Sequence, residues 1–198
     1  EEWKFVNYLD TGNITDNRID SIQYIDVEND KLPSRARRKV KKDSIIYSTV
    51  RPNQRHFGII KTQPENFLVS TGFAVIDVDA NVLNSDFLYY LLTQPTLVET
   101  LHAIAEQSTS AYPSIKPSDI EDLEIEVPDF ATQKRIADIL GSLDGKIAQN
   151  AAINENLTEQ ARAIFQEWFI DYEPFGGAAP LDWHPSTLGQ IAEMKTDS

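Results

Sequence analysis

Between Pro128 and Pro174 the chain carries no proline, and its apolar positions recur in alternating steps of four and three. Ile136, Leu140, Leu143, Ile147, Asn150, Asn154, Leu157, Ala161, Ile164 and Trp168 all lie on that repeat. Such spacing places them on one stripe of a helix, the a/d seam of a coiled coil. A helix from 133 to 171 would run roughly 58 Å at about 1.5 Å per residue. A chain of 198 residues cannot bury a rod of that length inside its own core, so the stripe calls for another long helix, from a second copy or another subunit. Amides at Asn150 and Asn154 lower the stability of a seam but pair with each other, and so select register and partner. Asp129 is the candidate N-cap. Gly141 and Gly145 each cost about 1 kcal/mol against Ala in a helix, which marks a bend or a close approach. The bland alternative is an ordinary packed helix that ends at Gly141.

Upstream, residues 1–127 mix short β-branched runs, turn residues and one helical region, the pattern of an α+β domain. Ser44 to Val50 reads as a buried strand that stops at Arg51-Pro52, because proline cannot continue a ladder. Phe57 to Ile60 and Phe73 to Val78 read as further strands. Asn84 or Ser85 caps a helix carrying Phe87, Leu88, Leu91 and Leu92 on one side. Pro95 restarts it, through Leu97, Val98, Leu101 and Ile104, and Leu123 to Val127 forms a last strand. The expected organisation is a globular mixed α/β domain over 1–127, a long helix over 128–173, and a linker with a further segment over 174–198. Trp183, Leu188-Gly189 and Thr196 echo Trp3, Leu9 and Thr11-Gly12, a faint sign of a second copy of the first domain beginning.

Charge is distributed against the average. The whole chain has a formal net charge of −13, yet ten of its eighteen bases fall between Lys31 and Lys61, where Asp43 is the only acid. A dense basic patch attracts phosphate once surfaces approach within a Debye length, about 8–10 Å, even on an acidic protein. Arg35, Arg37, Arg38, Lys39, Lys41 and Lys42 are dense enough to neutralise several phosphates and so to position DNA. Arg51, Asn53, Gln54, Arg55 and His56, at a strand exit, combine guanidinium forks suited to guanine with amides suited to adenine. A polar loop with Ser108, Thr109, Ser110 and Tyr112 offers hydroxyls for a sugar-phosphate backbone. The competing structural reading makes Arg51 an internal salt-bridge partner and the 35–42 run a solvated edge.

Other chemistries find no support. There is no cysteine, and three isolated histidines make no metal cluster. G-x-S-x-G, P-loop, H-E-x-x-H and G-x-G-x-x-G patterns are all missing, so no catalytic residue is assigned. Asp119, Glu121, Asp122, Glu124 and Glu126 read as a solvated acidic face rather than a nuclease site. His102 reads as structural and His184 as part of a turn. No apolar run approaches the roughly 20 residues that span a bilayer, and a cytoplasmic location is expected.

In this order, the segments resemble the DNA-specificity subunit of type I restriction-modification systems. Leu32 to Asn53 looks like the stretch entering the central strand of that family's target-recognition domain, and Ser108 to Ile115 occupies the place of its polar loop. Pro128 to Leu140, with Leu143-Asp144 and Lys146-Ile147, is similar to the start of its spacer helix. The resemblance implies a non-catalytic reader of one half of a split double-stranded DNA target. Its implied partners are a methyltransferase subunit, which holds S-adenosylmethionine so that this chain needs no cofactor, and a restriction/translocase subunit. With one recognition domain and one spacer helix, the chain is expected to act as a half-subunit, pairing as a homodimer through the long helix on a palindromic interrupted site. The alternative is a coiled-coil interaction module that does not bind DNA.

Overall fold

The computed structural model describes residues 3–108 and 112–193. The chain divides into two compact units, residues 1–143 and 144–198. Among the described residues, nine strands run in chain order as β1 (Phe5–Leu9), β2 (Ile14–Thr15), β3 (Arg18–Ile19), β4 (Gln23–Asp26), β5 (Ala36–Lys39), β6 (Ile45–Ser48), β7 (Phe57–Ile59), β8 (Phe67–Ser70) and β9 (Phe73–Ile76). The helices are α1 (Ser85–Leu92), α2 (Pro95–Glu106), α3 (Pro117–Glu121), α4 (Phe130–Phe165) and α5 (Leu188–Ile191).

β6 lies at the centre of the first unit. It pairs antiparallel with β7 on one side and β9 on the other. Because side chains alternate along a strand, its two faces enter two cores. Ile45 and Tyr47 join Leu88, Leu92, Val98 and Leu101 of α1 and α2, while Ile46 joins Leu9, Phe67 and Phe73. That explains why Ile45, Ile46 and Tyr47 are all fully buried. A second sheet, ordered β4-β1-β8-β5, pairs β1 with β8 in parallel and ends at β5. The register between β5 and β8 shifts between Ala36 and Arg38, a bulge at the sheet edge. So the basic run lies along an edge strand, where charge also guards against unwanted pairing.

Two local signals fold as their chemistry dictates. The Asn84 side chain accepts a hydrogen bond from the Phe87 amide at 2.9 Å and caps α1. The Asp129 carboxylate accepts from the Thr132 amide at 3.0 Å and from its hydroxyl at 2.8 Å, which closes the first turn of α4.

The expected strand at Leu123–Val127 does not form. The alternation survives, with Leu123 and Ile125 half-buried against the core and Glu124 and Glu126 exposed. Packing on the core satisfies these side chains, and the segment joins no ladder. Likewise α4 does not end at Gly141. A Cβ added there would lie 3.6 Å from the Tyr90 hydroxyl, whereas at Gly145 it would meet nothing within 4 Å. Helix therefore continues through both glycines for 36 residues, then changes to a π-helical turn over Gln166–Ile170.

In the second unit the end of the helix carries an aromatic cluster. Phe165 stacks on Phe169 at 5.3 Å, and Trp183 stacks on Phe169 at 5.9 Å and meets Phe175 edge-on at 5.7 Å. The return from helix to Trp183 uses Gly176 and Gly177 at φ +80° and +83°, a conformation that L side chains rarely adopt.

Candidate nucleic-acid interface

The strand exit after β6 is built around two left-handed arginines. Arg51 at φ 48° and Arg55 at φ 58° flank a 3-10 turn, Pro52–Gln54. Non-glycine residues in this region cost about 1–2 kcal/mol each, so the surrounding bonds must impose the shape. The Arg51 amide donates to the Pro113 carbonyl at 2.8 Å, and Val50 bridges Ser114 in antiparallel fashion. The Arg51 guanidinium sits 4.9 Å from the centroid of the Tyr112 ring. On the other side of the loop the Arg55 Nε donates to Asp16 at 2.6 Å, with its guanidinium 5.1 Å from the Phe57 ring.

Asp16 itself comes from the β2–β3 hairpin, whose Asp16 and Asn17 take φ 47° and 64°. Asn17 accepts from the Ile59 amide at 2.9 Å and donates its own amide to the Phe57 carbonyl. Glycine suits the position opposite, because a Cβ on Gly58 would lie 2.6 Å from the Ile14 side chain and 2.7 Å from that of Asn17 and would have to displace them. His56 Nδ1 lies 2.6 Å from the Ile14 carbonyl, which assigns the proton to Nδ1 and ties the ring to the same hairpin. Burial pushes the Tyr47 phenol beneath up to about 12, against the pull of the Arg55 charge, so it stays neutral.

The β8–β9 turn joins this loop to the basic edge strand. Thr71 donates its amide to the Arg35 carbonyl at 2.9 Å, and the Gly72 carbonyl accepts from the Thr49 amide at 2.8 Å and hydroxyl at 2.9 Å. The three segments thus form one hydrogen-bonded surface: Arg35 to Arg38, Thr49 to His56, and Tyr112 to Ser114. Ser108 belongs to it through its hydroxyl, which accepts from the Ser114 amide at 3.3 Å. Thr109 and Ser110 lie outside the described residues.

Several bases are engaged within the protein. Arg38 donates to the Phe73 carbonyl, Lys39 covers the Trp3 ring at 4.9 Å, and Lys41 pairs with Asp77 at 3.3 Å. Lys61 bridges Asp43 at 2.8 Å and Asp86 at 2.7 Å. Burial alone would lower the Lys61 pKa, but these two hydrogen bonds outweigh it and raise it. Arg37, Lys42, Asn53 and Gln54 are exposed. Among the described residues it is Arg55, not Arg51, that takes an acidic partner.

Residues 3–159 match the family described as the type I restriction modification DNA specificity domain. This chain belongs to that family. The HindI specificity subunit of Haemophilus influenzae is 34% identical over 169 residues, 85% of this chain but 36% of the relative. The MjaIX specificity subunit of Methanocaldococcus jannaschii is 33% identical over 125 residues, 58% of this chain and 28% of that one. The crystal structure of the HsdS subunit from Thermoanaerobacter tengcongensis aligns with a TM-score of 0.62 at 22% identity, over 82% of this chain and 41% of its own. A second structure, from work on complex assembly in the type I system, aligns at 0.62 and 23% identity over 94% and 48%. The chain therefore spans less than half the length of these proteins.

In keeping with that family, its fold is the mixed α/β unit with a long helix that the sequence pattern led one to expect. Among its described residues no group of three His, Cys, Asp or Glu side chains could hold a metal. Among the described residues no helix is long and apolar enough to cross a membrane. On α4 of this specificity chain, Ile136 and Leu140 are half-buried within the first unit. From there Leu143, Ile147, Leu157, Ile164 and Trp168 are exposed, Ile147 by 67%, as are Asn150, Asn154 and Ala161. Sequence reasoning missed Asp16, Asn17, Thr49 and Gly72, which shape the loop. An Asp-Asn pair between short β-branched runs is a hairpin signal and was the one available clue.

Proposed function

We propose that this chain reads one half of a split DNA target and brings a methyltransferase subunit, and with it a restriction/translocase subunit, to that site. The observation that carries the reading is the single surface assembled from the β5 edge, the strand exit and the polar loop. Arg37 and Lys42 hold phosphates, while Arg51, Asn53 and Gln54 reach base edges. S-adenosylmethionine belongs to the methyltransferase, and this chain supplies no cofactor.

The exposed seam of α4 is the place for a second copy. An antiparallel partner reflected about the middle of the seam sets Asn150 against Asn154, Leu143 against Ala161 and Ile147 against Leu157. Amides then meet amides, and a large side chain meets a small one. Two recognition units related by a two-fold axis read a palindromic interrupted site.

The test is binding to a library of duplexes at several salt concentrations. Affinity is expected to be sequence-selective and to fall with log salt by about 0.9 per phosphate neutralised. Arg51→Ala should relax selectivity at one base position, and Arg37→Ala should weaken all sequences equally. Salt-insensitive or unselective binding would favour the plain interaction module instead. Methylation mapping in cells carrying this chain and its methyltransferase would identify the target.

A further inference from the structure

A buried polar side chain in the first turn of a helix is costly unless every one of its groups is bonded. Gln133 is 2% exposed. Its Oε1 accepts from the Asn84 amide at 2.8 Å, and its Nε2 donates to the Pro128 carbonyl at 2.9 Å and the Val82 carbonyl at 3.3 Å. Asn84 is in turn the cap of α1. One and two turns further along α4 come Ala137, buried, and Gly141, whose missing Cβ faces Tyr90 of α1. Residues 133, 137 and 141 are one stripe of the helix. A glutamine clamp followed by two small residues thus docks the start of α4 on the segment that leads into and forms α1.

We infer that Gln133 is a positioning residue, which locks the first turns of α4 to the recognition unit so that the separation between two half-sites is read stringently. The functional part rests on the DNA-reading proposal above; the joint itself does not. Apolar packing alone would let the helix slide, because such contacts are non-directional. Three hydrogen bonds to three backbone positions define one pose.

The test uses the full chain and two variants. Gln133→Met keeps the length and removes all three bonds, while Gln133→Glu keeps the acceptor for Asn84 and loses both donors. On duplexes carrying both half-sites at stepped separations, the wild type should prefer one separation by about tenfold or more. Gln133→Met should reduce that preference to about threefold or less while leaving the ranking of half-site sequences unchanged, a split that simple loss of folding would not produce. Unchanged spacing preference in both variants would overturn the inference. A second readout needs no DNA. The chain has no cysteine, so spin labels at Glu65→Cys and Asp138→Cys report the joint by their distance distribution. It should broaden in Gln133→Met, and a width equal to wild type refutes the clamp. If the wild type binds no duplex selectively, the DNA reading fails and the label experiment still decides the joint.

Discussion

Arg51 and Tyr112, distant in sequence, stack with the guanidinium 4.9 Å from the ring centroid, and the Arg51 amide is bonded to the residue after Tyr112. The planar fork is thereby oriented before any ligand arrives, which would lower the entropy lost in the proposed pairing with a base. A cation–π contact of this exposed kind contributes about 0.5–1 kcal/mol. Tyr112→Ala is therefore expected to reduce discrimination between cognate and single-mismatch duplexes by about twofold to fivefold, and Tyr112→Phe to preserve it. Fluorescence anisotropy on a mismatch series measures both.

Asp16 holds Arg55 in the mirror position. Asp16→Asn removes the charge and leaves the hairpin turn intact, since Asn tolerates positive φ. The released guanidinium should add a phosphate contact, giving tighter binding to all sequences and a steeper salt slope by about one unit of 0.9. An unaltered slope would show that Arg55 stays committed to the protein.

Substitution at two glycines should move stability in opposite directions. At Gly145 nothing lies within 4 Å of an added Cβ, so Gly145→Ala is expected to stabilise the helix by about 0.8–1 kcal/mol. At Gly58 the Cβ would overlap Ile14 and Asn17, and Gly58→Ala should destabilise by about 1–3 kcal/mol. Urea denaturation followed by circular dichroism resolves both signs.

Antiparallel pairing of α4 makes a cross-linking prediction. In the reflected register Asn150 opposes Asn154 of the other copy, so the Asn150→Cys, Asn154→Cys double variant should form disulfide-linked dimers under mild oxidation and neither single variant should. Efficient cross-linking by Asn150→Cys alone would indicate parallel pairing. Leu143→Asp with Leu157→Asp should shift the chain to monomer in sedimentation equilibrium.

Acid should weaken the first unit through Asp10. Burial raises the pKa of its carboxyl, but the Thr11 amide, the Ser70 and Tyr8 hydroxyls and the Arg35 charge outweigh this and hold it below 3.8. A carboxylate lowered by folding contributes stability above its unfolded pKa, and the contribution disappears as pH falls through the folded value. The stability difference between wild type and Asp10→Asn should be full above about pH 4 to 5 and should shrink as the pH drops further. Chemical denaturation across pH 2.5 to 6 tests this.

What the sequence determined is what local chemistry controls. The heptad from Ile136 to Trp168, the caps at Asp129 and at Asn84 or Ser85, and the β-branched run around Ile45 are short-range patterns, and their energetics depend on neighbours within a few residues. The long helix, the buried strand and the turn after it were legible for that reason. The strand expected at Leu123–Val127 was not decided at that range, because its alternating side chains suit a ladder or a half-buried segment equally well. Only the tertiary structure placed the basic run on the edge beside β8. It also gave Arg55 to Asp16 and Arg51 to Tyr112, and buried Gln133 against Asn84. Each of these contacts joins residues far apart in sequence, and strand order and packing, not local propensity, bring them within bonding distance.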